Sequence, residues 1–192
     1  MTPLSPKSRD WPPTITPTPL AKVLIIHRPS YPDSRGSFQE IFRIPDLEKV
    51  LGQRLSIRQA NQSINVPGVI RGLHKAPWGK LVHCYSGRVL QVVIDLREKS
   101  PTFKKLFSVE MGPQNPITVW VPPGCGNGFC VTGKTEAVYG YAVTSVFQPG
   151  REIGLKWDDP VILRQLKWPV KNPIVSDKDR QNPGFTDLFP ET

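Results

Sequence analysis

Residues 68–96 read Gly68-Val69-Ile70-Arg71-Gly72-Leu73-His74-Lys75-Ala76-Pro77-Trp78-Gly79-Lys80-Leu81-Val82-His83-Cys84-Tyr85-Ser86-Gly87-Arg88-Val89-Leu90-Gln91-Val92-Val93-Ile94-Asp95-Leu96. Short runs rich in Val, Ile and Leu are broken by Pro-Trp-Gly and Ser-Gly. That is the signature of strands and turns rather than of helix. Three strands are predicted here: Gly68 to His74, Lys80 to Tyr85 and Arg88 to Leu96. The same signal recurs on both sides. It marks Val23 to His27, Ser37 to Phe42, Ser56 to Ser63, Phe103 to Met111, Ile117 to Val121, Gly128 to Thr132 and Ala137 to Val143. Pro45 to Leu51 is the one clear helix, with proline at its start and Gly52 as its stop. From Gly150 onward the chain reads as loop. Many short strands at this spacing mean a sandwich or barrel, and a double-sheet jelly roll is expected. The fold class is therefore all-β, with one or two short helices.

Composition agrees. The 192 residues include 22 prolines and 15 glycines, which leaves little room for long helices. Residues 1–20 are dense in proline and lack a core-forming pattern, so an extended or disordered lead is expected there, laid on the body by Trp11 if by anything. Residues 21–192 make one domain. The net charge of +9 favours anions. The basic residues are scattered and are not interleaved with aromatics along one sheet face, which argues against a nucleic-acid-binding barrel. No run approaches the length of a membrane span, and the N-terminus has no apolar signal core. The three cysteines, Cys84, Cys125 and Cys130, form no paired spacing. A reducing, cytoplasmic setting follows more simply than a disulfide framework.

Chemistry concentrates around His74. There are only three histidines, and this one lies three residues after Arg71 and six before Lys80. Imidazole moves protons near neutral pH, ammonium steadies an oxyanion, and guanidinium grips phosphate through paired hydrogen bonds. The set suits proton transfer beside a carbonyl on a phosphorylated substrate. Strand alternation raises a difficulty: Arg71 and Leu73 belong on one face, Gly72 and His74 on the other. A bulge or bend, or an arginine reaching around a rim, would be needed to bring Arg71 and His74 together. His27, at a strand end, is expected on the surface.

Several segments in order resemble the dTDP-4-dehydrorhamnose 3,5-epimerase family. They include Asp33-Ser34-Arg35-Gly36-Ser37-Phe38-Gln39-Glu40, Gln59-Ala60-Asn61-Gln62-Ser63, and Gly68 through His74. Lys80-Leu81-Val82, Ile94-Asp95-Leu96-Arg97 with Ser100-Pro101-Thr102-Phe103, and Val121-Pro122-Pro123-Gly124 with Gly128-Phe129 follow. Trp157-Asp158-Asp159-Pro160, Trp168-Pro169 and Ser176-Asp177-Lys178-Asp179 complete the set. The resemblance implies a cupin-type jelly roll. It implies a homodimer that exchanges an N-terminal strand, no metal, no cofactor, and a nucleotide-linked 4-keto-6-deoxy sugar as substrate. It implies His74 as base, Asp179 as the carboxylate behind it and Lys80 as the enolate-stabilising cation. Arg35 and Arg71 would meet phosphate, and Phe38 and Glu40 the nucleotide, donated across a dimer. Gln59, Asn61, Asn127 and Tyr141 would be cavity contacts.

The chain also departs from the pattern. The opposite-face tyrosine acid falls on Phe147, a second histidine on Asn127, and a common aspartate on Gln91. The loop from His74 to Lys80 is short. Three readings follow: an epimerase inverting one centre only, one retuned to another keto sugar, or a relative that binds without catalysis. Trp120, Trp157 and Trp168 are expected in the core or an interface, and Trp78 nearer the substrate.

Overall fold

The computed structural model describes residues 14–190; Trp11 lies outside them. In chain order the strands are β1 (Thr14–Pro17), β2 (Leu24–His27), β3 (Ser30–Asp33), β4 (Gly36–Gln39), β5 (Gln59–Asn65), β6 (Ile70–Lys75), β7 (Lys80–Ser86), β8 (Val89–Asp95), β9 (Leu106–Met111), β10 (Ile117–Val121), β11 (Cys125–Val131), β12 (Ala137–Val143) and β13 (Ile153–Gly154). Helix α1 (Ile44–Leu51) precedes β5, and α2 (Pro160–Leu163), α3 (Asp177–Arg180) and α4 (Phe185–Leu188) follow β13. One sheet has the order β1-β2-β10-β7-β12-β5 and the other β13-β6-β11-β8-β9, while β3 and β4 form a separate hairpin. All the strand pairs are antiparallel. The expected jelly roll is thus present. The Ser86-Gly87 turn carries the chain from one sheet to the other, since β7 and β8 lie in different sheets.

Alternation sorts side chains into layers. Val82, Val89, Val93, Val119, Val121, Phe129 and Tyr139 point between the sheets and form the inner core. Leu24, Ile26, Leu81 and Trp120 face outward from the larger sheet and meet Leu47 of α1. Ile70, Leu73, Val92, Ile94 and Cys130 face outward from the smaller sheet, under Leu155, Ile162, Trp168 and Phe185 of the tail. Trp120 and Trp168 are buried, and the Trp168 indole donates to the Trp157 carbonyl at 3.0 Å.

Three differences from expectation have local causes. Helix α1 begins one residue early, at Ile44, and ends where Gly52 takes φ +66°. The tail is not all loop: α2, α3 and α4 are single turns, too short to show a helical period in sequence. Thr14–Pro17 is a strand, and the segment joins the body. β1 pairs with β2 of the same chain, Thr14 opposite His27 and Pro17 opposite Leu24, and Leu20 is buried in the inner core. The Asp95-Leu96-Arg97 and Ser100-Pro101-Thr102 segments clasp this junction. Arg97 donates to the Ala21 carbonyl at 2.6 Å, and the Ala21 N–H donates to Thr102 Oγ1 at 3.0 Å. Burial opposes the charge on Asp95, but hydrogen bonds from Arg97, Ser100 and Thr102 outweigh it and hold the carboxyl at about 2.

The alternation difficulty is resolved by a bulge. Opposite β11, Ile70 pairs with Cys130 and Arg71 with Phe129, but His74 pairs with Asn127. Gly72 and Leu73 therefore share one residue, Gly128, across the ladder. The extra residue in β6 shifts the alternation by one. Ile70 and Leu73 both face the outer cluster, and Arg71 and His74 both face inward. Gly72 has φ +114°, and a Cβ there would stand 2.7 Å from the Asn127 carbonyl oxygen and 2.8 Å from Gly128 Cα. Only glycine fits. A Gly72→Ala substitution is expected to destabilise the protein by roughly 1–3 kcal/mol in urea unfolding. An alanine variant with parental stability would show that the bulge is not required.

Candidate active site

Between the sheets, a hollow opens to solvent. The smaller sheet supplies Arg71, His74, Asn127 and Phe129, the larger sheet Ser63, Lys80, Tyr139 and Tyr141, and the loop before β13 Glu152. A neighbouring lobe shares Tyr141 and Glu152 and adds Gln59, Asn61, Trp78, Val143 and Phe147.

His74 Nε2 lies 2.7 Å from Asp179 Oδ1. Asp179 is buried and is presented by α3, where its N–H donates to the capping Ser176 Oγ at 3.1 Å. It also accepts from Gly72 N–H at 3.2 Å and Asn182 Nδ2 at 3.4 Å. Burial pushes its carboxyl up, but the bonds to His74, Gly72 and Asn182 prevail and hold it below the usual range. The stability this pairing contributes is present above the ordinary carboxylate range and is lost as pH falls through the lowered folded-state value. With Nε2 committed to Asp179, Nδ1 is the nitrogen left for a substrate.

Lys80 is buried. Its Nζ is 3.0 Å from Glu152 Oε2 and 3.5 Å from the His74 carbonyl oxygen. The other oxygen of Glu152 is 3.7 Å from His74 Nδ1. One carboxylate therefore spans the ammonium and the imidazole. Sequence reasoning missed Glu152: it sits in the Pro149-Gly150-Arg151 loop, where a charged residue carries no periodic signal. Structurally it is placed by β13, whose Ile153 and Gly154 pair with Lys75 and His74.

Polar neighbours brace the remaining wall. Arg71 Nε donates to Asn65 Oδ1 at 2.6 Å, and the Asn65 amide donates to Ser63 and to the Ala137 carbonyl. Gln59 donates to Asn61 at 2.7 Å and accepts the Phe147 N–H at 2.8 Å. The Tyr139 hydroxyl donates to Gln91 Oε1 at 2.6 Å, and Gln91 Nε2 donates to Asn127 Oδ1 at 2.7 Å. This relay fixes the polarity of the Asn127 amide, leaving its Nδ2 as a donor toward the hollow. Gln91 and Asn127, two of the departures noted in the sequence, are thus one neutral hydrogen-bonded unit.

Three of the candidate contacts lie elsewhere in this subunit. Arg35 is exposed and pairs with Asp33 at 2.6 Å. Phe38 is 71% exposed. Glu40 binds Arg28 at 3.0 Å and Arg43 at 2.9 Å. All three belong to the β3–β4 hairpin or its exit, away from the hollow.

Other reactive groups do not compete. His27 is exposed at its strand end. His83 is buried against the Ile117 carbonyl at 2.9 Å, and burial pushes its imidazole down. The cysteines are free and buried, with burial raising the Cys84, Cys125 and Cys130 thiols to about 11, 12 and 11. None supplies a thiolate nucleophile near neutral pH. Among the described residues no His, Cys, Asp and Glu side chains group as a metal site, and no helix is long and apolar enough to cross a membrane.

A carboxylate-backed imidazole beside an ammonium in a jelly-roll hollow has the groups that removal of a proton beside a carbonyl calls for. The family model for dTDP-4-dehydrorhamnose 3,5-epimerase matches residues 17–187, and the chain belongs to that family. It is 37% identical to the dTDP-4-dehydrorhamnose 3,5-epimerase of Shigella flexneri over 174 residues, covering 88% of this chain and 94% of that one. Among solved structures it is similar to the Legionella pneumophila epimerase in complex with dTDP-4-keto-L-rhamnose. There the TM-score is 0.82 and the identity 32%, over 88% of this chain and 91% of that one. It is also similar to ChmJ, a 3'-monoepimerase from Streptomyces bikiniensis in complex with dTDP-quinovose. There the TM-score is 0.81 and the identity 27%, over 88% and 86% of the two chains.

The relay is testable by itself. Gln91→Leu leaves the buried Tyr139 hydroxyl and the Asn127 carbonyl without partners, and is expected to cost roughly 1–3 kcal/mol in denaturant unfolding. Adding Tyr139→Phe should recover part of that loss. An uncorrected double variant would mean that the hydrogen bonds are not the source of the cost.

Proposed function

We propose that the protein is an isomerase, an epimerase acting on a nucleoside-diphosphate 4-keto-6-deoxy sugar at C3, C5 or both. The observation carrying this reading is that His74 and Lys80 line one hollow with Asp179 behind the imidazole, His74 Nε2 on Asp179 at 2.7 Å and Lys80 Nζ near the His74 carbonyl at 3.5 Å. His74 Nδ1 takes the proton from the carbon beside the ketone. The electron pair moves onto the ketone oxygen, and Lys80 stabilises the enolate so formed. Asp179 holds the imidazole in its tautomer and steadies the imidazolium. In this reading Glu152 marks the substrate's place: its carboxylate joins the same two groups that the enolate would join, and it swings aside on binding.

Arg71 meets the diphosphate or the sugar, Asn127 donates a hydrogen bond to the sugar, and Gln59, Asn61 and Tyr141 line its far side. Arg35, Phe38 and Glu40 serve the nucleotide in a partner's hollow, which makes the working unit a homodimer. The exposure of Phe38 on a projecting hairpin supports this, as do Ile64 and Tyr85, 60% and 50% exposed on the larger sheet. The scattered positive charge fits a doubly charged diphosphate, and the setting expected for such metabolism is the cytoplasm.

The test is incubation with a dTDP- or GDP-linked 4-keto-6-deoxy sugar in heavy water. Deuterium is expected at C3, C5 or both. No label with either nucleotide would overturn the reading in favour of a binding protein. Asp179→Asn should lower turnover by about 10^4, the scale seen when the carboxylate behind a catalytic imidazole is neutralised. Retention of activity in His74→Ala would remove the base.

A further inference from the structure

An amide side chain can meet a substrate in either of two senses, with its NH2 or with its oxygen, and a half-turn exchanges them. Asn127 lines the hollow beside His74, directly across the β6–β11 ladder. Which of its ends faces the substrate is decided behind it, and the deciding group is a backbone carbonyl.

Gln91 lies on β8 and is fully buried. Its Nε2 donates to the Val92 carbonyl at 3.2 Å and to Asn127 Oδ1 at 2.7 Å. A backbone carbonyl only accepts, so the nitrogen end of Gln91 is fixed on that side; the reversed amide would set oxygen against oxygen. Gln91 Oε1 must then receive a proton, and the Tyr139 hydroxyl supplies it at 2.6 Å. Tyr139 is itself held. It is buried, and its ring stacks on Phe129 with the centroids 4.0 Å apart. Burial pushes its phenol up, so the hydroxyl keeps the proton it donates. With Oδ1 taken by Gln91, Asn127 turns Nδ2 toward the hollow. An unmet donor or acceptor at this depth is costly, so the reversed arrangement is a minor state.

A donor of fixed sense discriminates. A sugar hydroxyl both gives and accepts, and suits either end of an amide; a ketone or enolate oxygen only accepts. We propose that Gln91 is a positioning residue: through Asn127 it holds one N–H donor on the wall beside His74, and so makes this part of the hollow a subsite for an acceptor-only oxygen, the ketone of the substrate. The proposal rests on the epimerase reading. As His74 takes the proton, charge grows on that oxygen. Asn127 adds a neutral donor there to the Lys80 ammonium, which lines the same hollow. The sense of the amide is set before the substrate arrives, so nothing has to reorganise as the charge appears.

The experiment reverses the amide from behind. Gln91→Glu is nearly isosteric, but its ionised carboxylate only accepts. It keeps the Tyr139 bond and turns Asn127 round, so that Oδ1 faces the ketone. When protonated, the same carboxyl donates to Asn127 as the native amide does. Deuterium uptake from heavy water into a dTDP-linked 4-keto-6-deoxy sugar is followed against pH in the parent, Gln91→Glu, Asn127→Ala and the double variant. Each is compared with the parent at the same pH, because His74, Lys80, Glu152 and Arg71 line the hollow in all of them. Asn127→Ala should lower kcat by about 10^2, the scale of one oxyanion donor, with less effect on KM. Gln91→Glu should approach that loss at alkaline pH and recover toward the parent as its carboxyl is protonated. The double variant should be no slower than Asn127→Ala alone, because Gln91 acts through Asn127. Parental rates in Gln91→Glu at every pH, losses that multiply in the double variant, or a loss confined to KM would overturn the assignment. Should melting show that Gln91→Glu does not fold, the neutral pair Gln91→Leu with Tyr139→Phe replaces it. Its kcat should fall, and adding Asn127→Ala should then leave the rate at that of Asn127→Ala alone; independent losses would overturn the assignment. Absence of exchange in the parent overturns the epimerase reading itself, a distinct failure.

Discussion

The site depends on one extra residue in β6. Two residues of that strand, Gly72 and Leu73, stand against a single Gly128 of β11. Without that excess, a β-strand of period two would turn Arg71 away from the hollow whenever His74 faced it. With it, the arginine and the histidine share a face, and Leu73 still reaches the outer core beneath Leu155 and Phe185. Two glycines meet at the crossing because neither has room for a side chain: Cβ atoms there would stand within 3 Å of opposing atoms. The bulge serves both layers at once, delivering chemistry inward and apolar area outward. The same Gly72 also gives its N–H to Asp179. The carboxylate that orients His74 is thus seated on the irregularity that turns His74 inward.

The charge of the hollow is arranged in pairs. His74 faces Asp179 behind and Glu152 in front, and Lys80 faces Glu152. A buried ammonium without an anion would pay a desolvation cost of several kcal/mol. Glu152 offsets that, one carboxylate reaching both the ammonium and the imidazole. Beside His74, Tyr139, Gln91 and Asn127 pass one hydrogen-bond polarity from the core to the cavity surface.

The all-β class, the layers and most strand positions were legible in sequence because alternation and turn residues act locally. His74, Lys80 and Asp179 were legible because each sits in a distinctive short segment. Their convergence was not. Asp179 is 105 positions from His74, and the bulge that lets Arg71 join them is a property of pairing between two strands, invisible in either alone. Glu152 was missed for a related reason: its role comes from β13, a two-residue strand that no pattern announces. The single-turn helices α2 to α4 were missed because four residues cannot display a period, although Asp159 and Ser176 were available as caps. The proline-rich lead misled in the other direction. Its composition argues against a helix but not against an edge strand, which tolerates proline at its end. Leu20 enters the core through the clasp formed by Asp95, Arg97 and Thr102.

The departures from the family pattern make more sense together than singly. Replacing a histidine by Asn127 would strand an aspartate at position 91; Gln91 there instead accepts from Tyr139 and donates to Asn127. The Phe147 ring packs edge-on against Trp78 at 6.3 Å, and its backbone N–H is taken by Gln59. The segment is anchored as a wall rather than left as a gap. Asn127 stands opposite His74 across the β6–β11 ladder, so the neutral relay lies beside the imidazole, while Phe147 lines the neighbouring lobe.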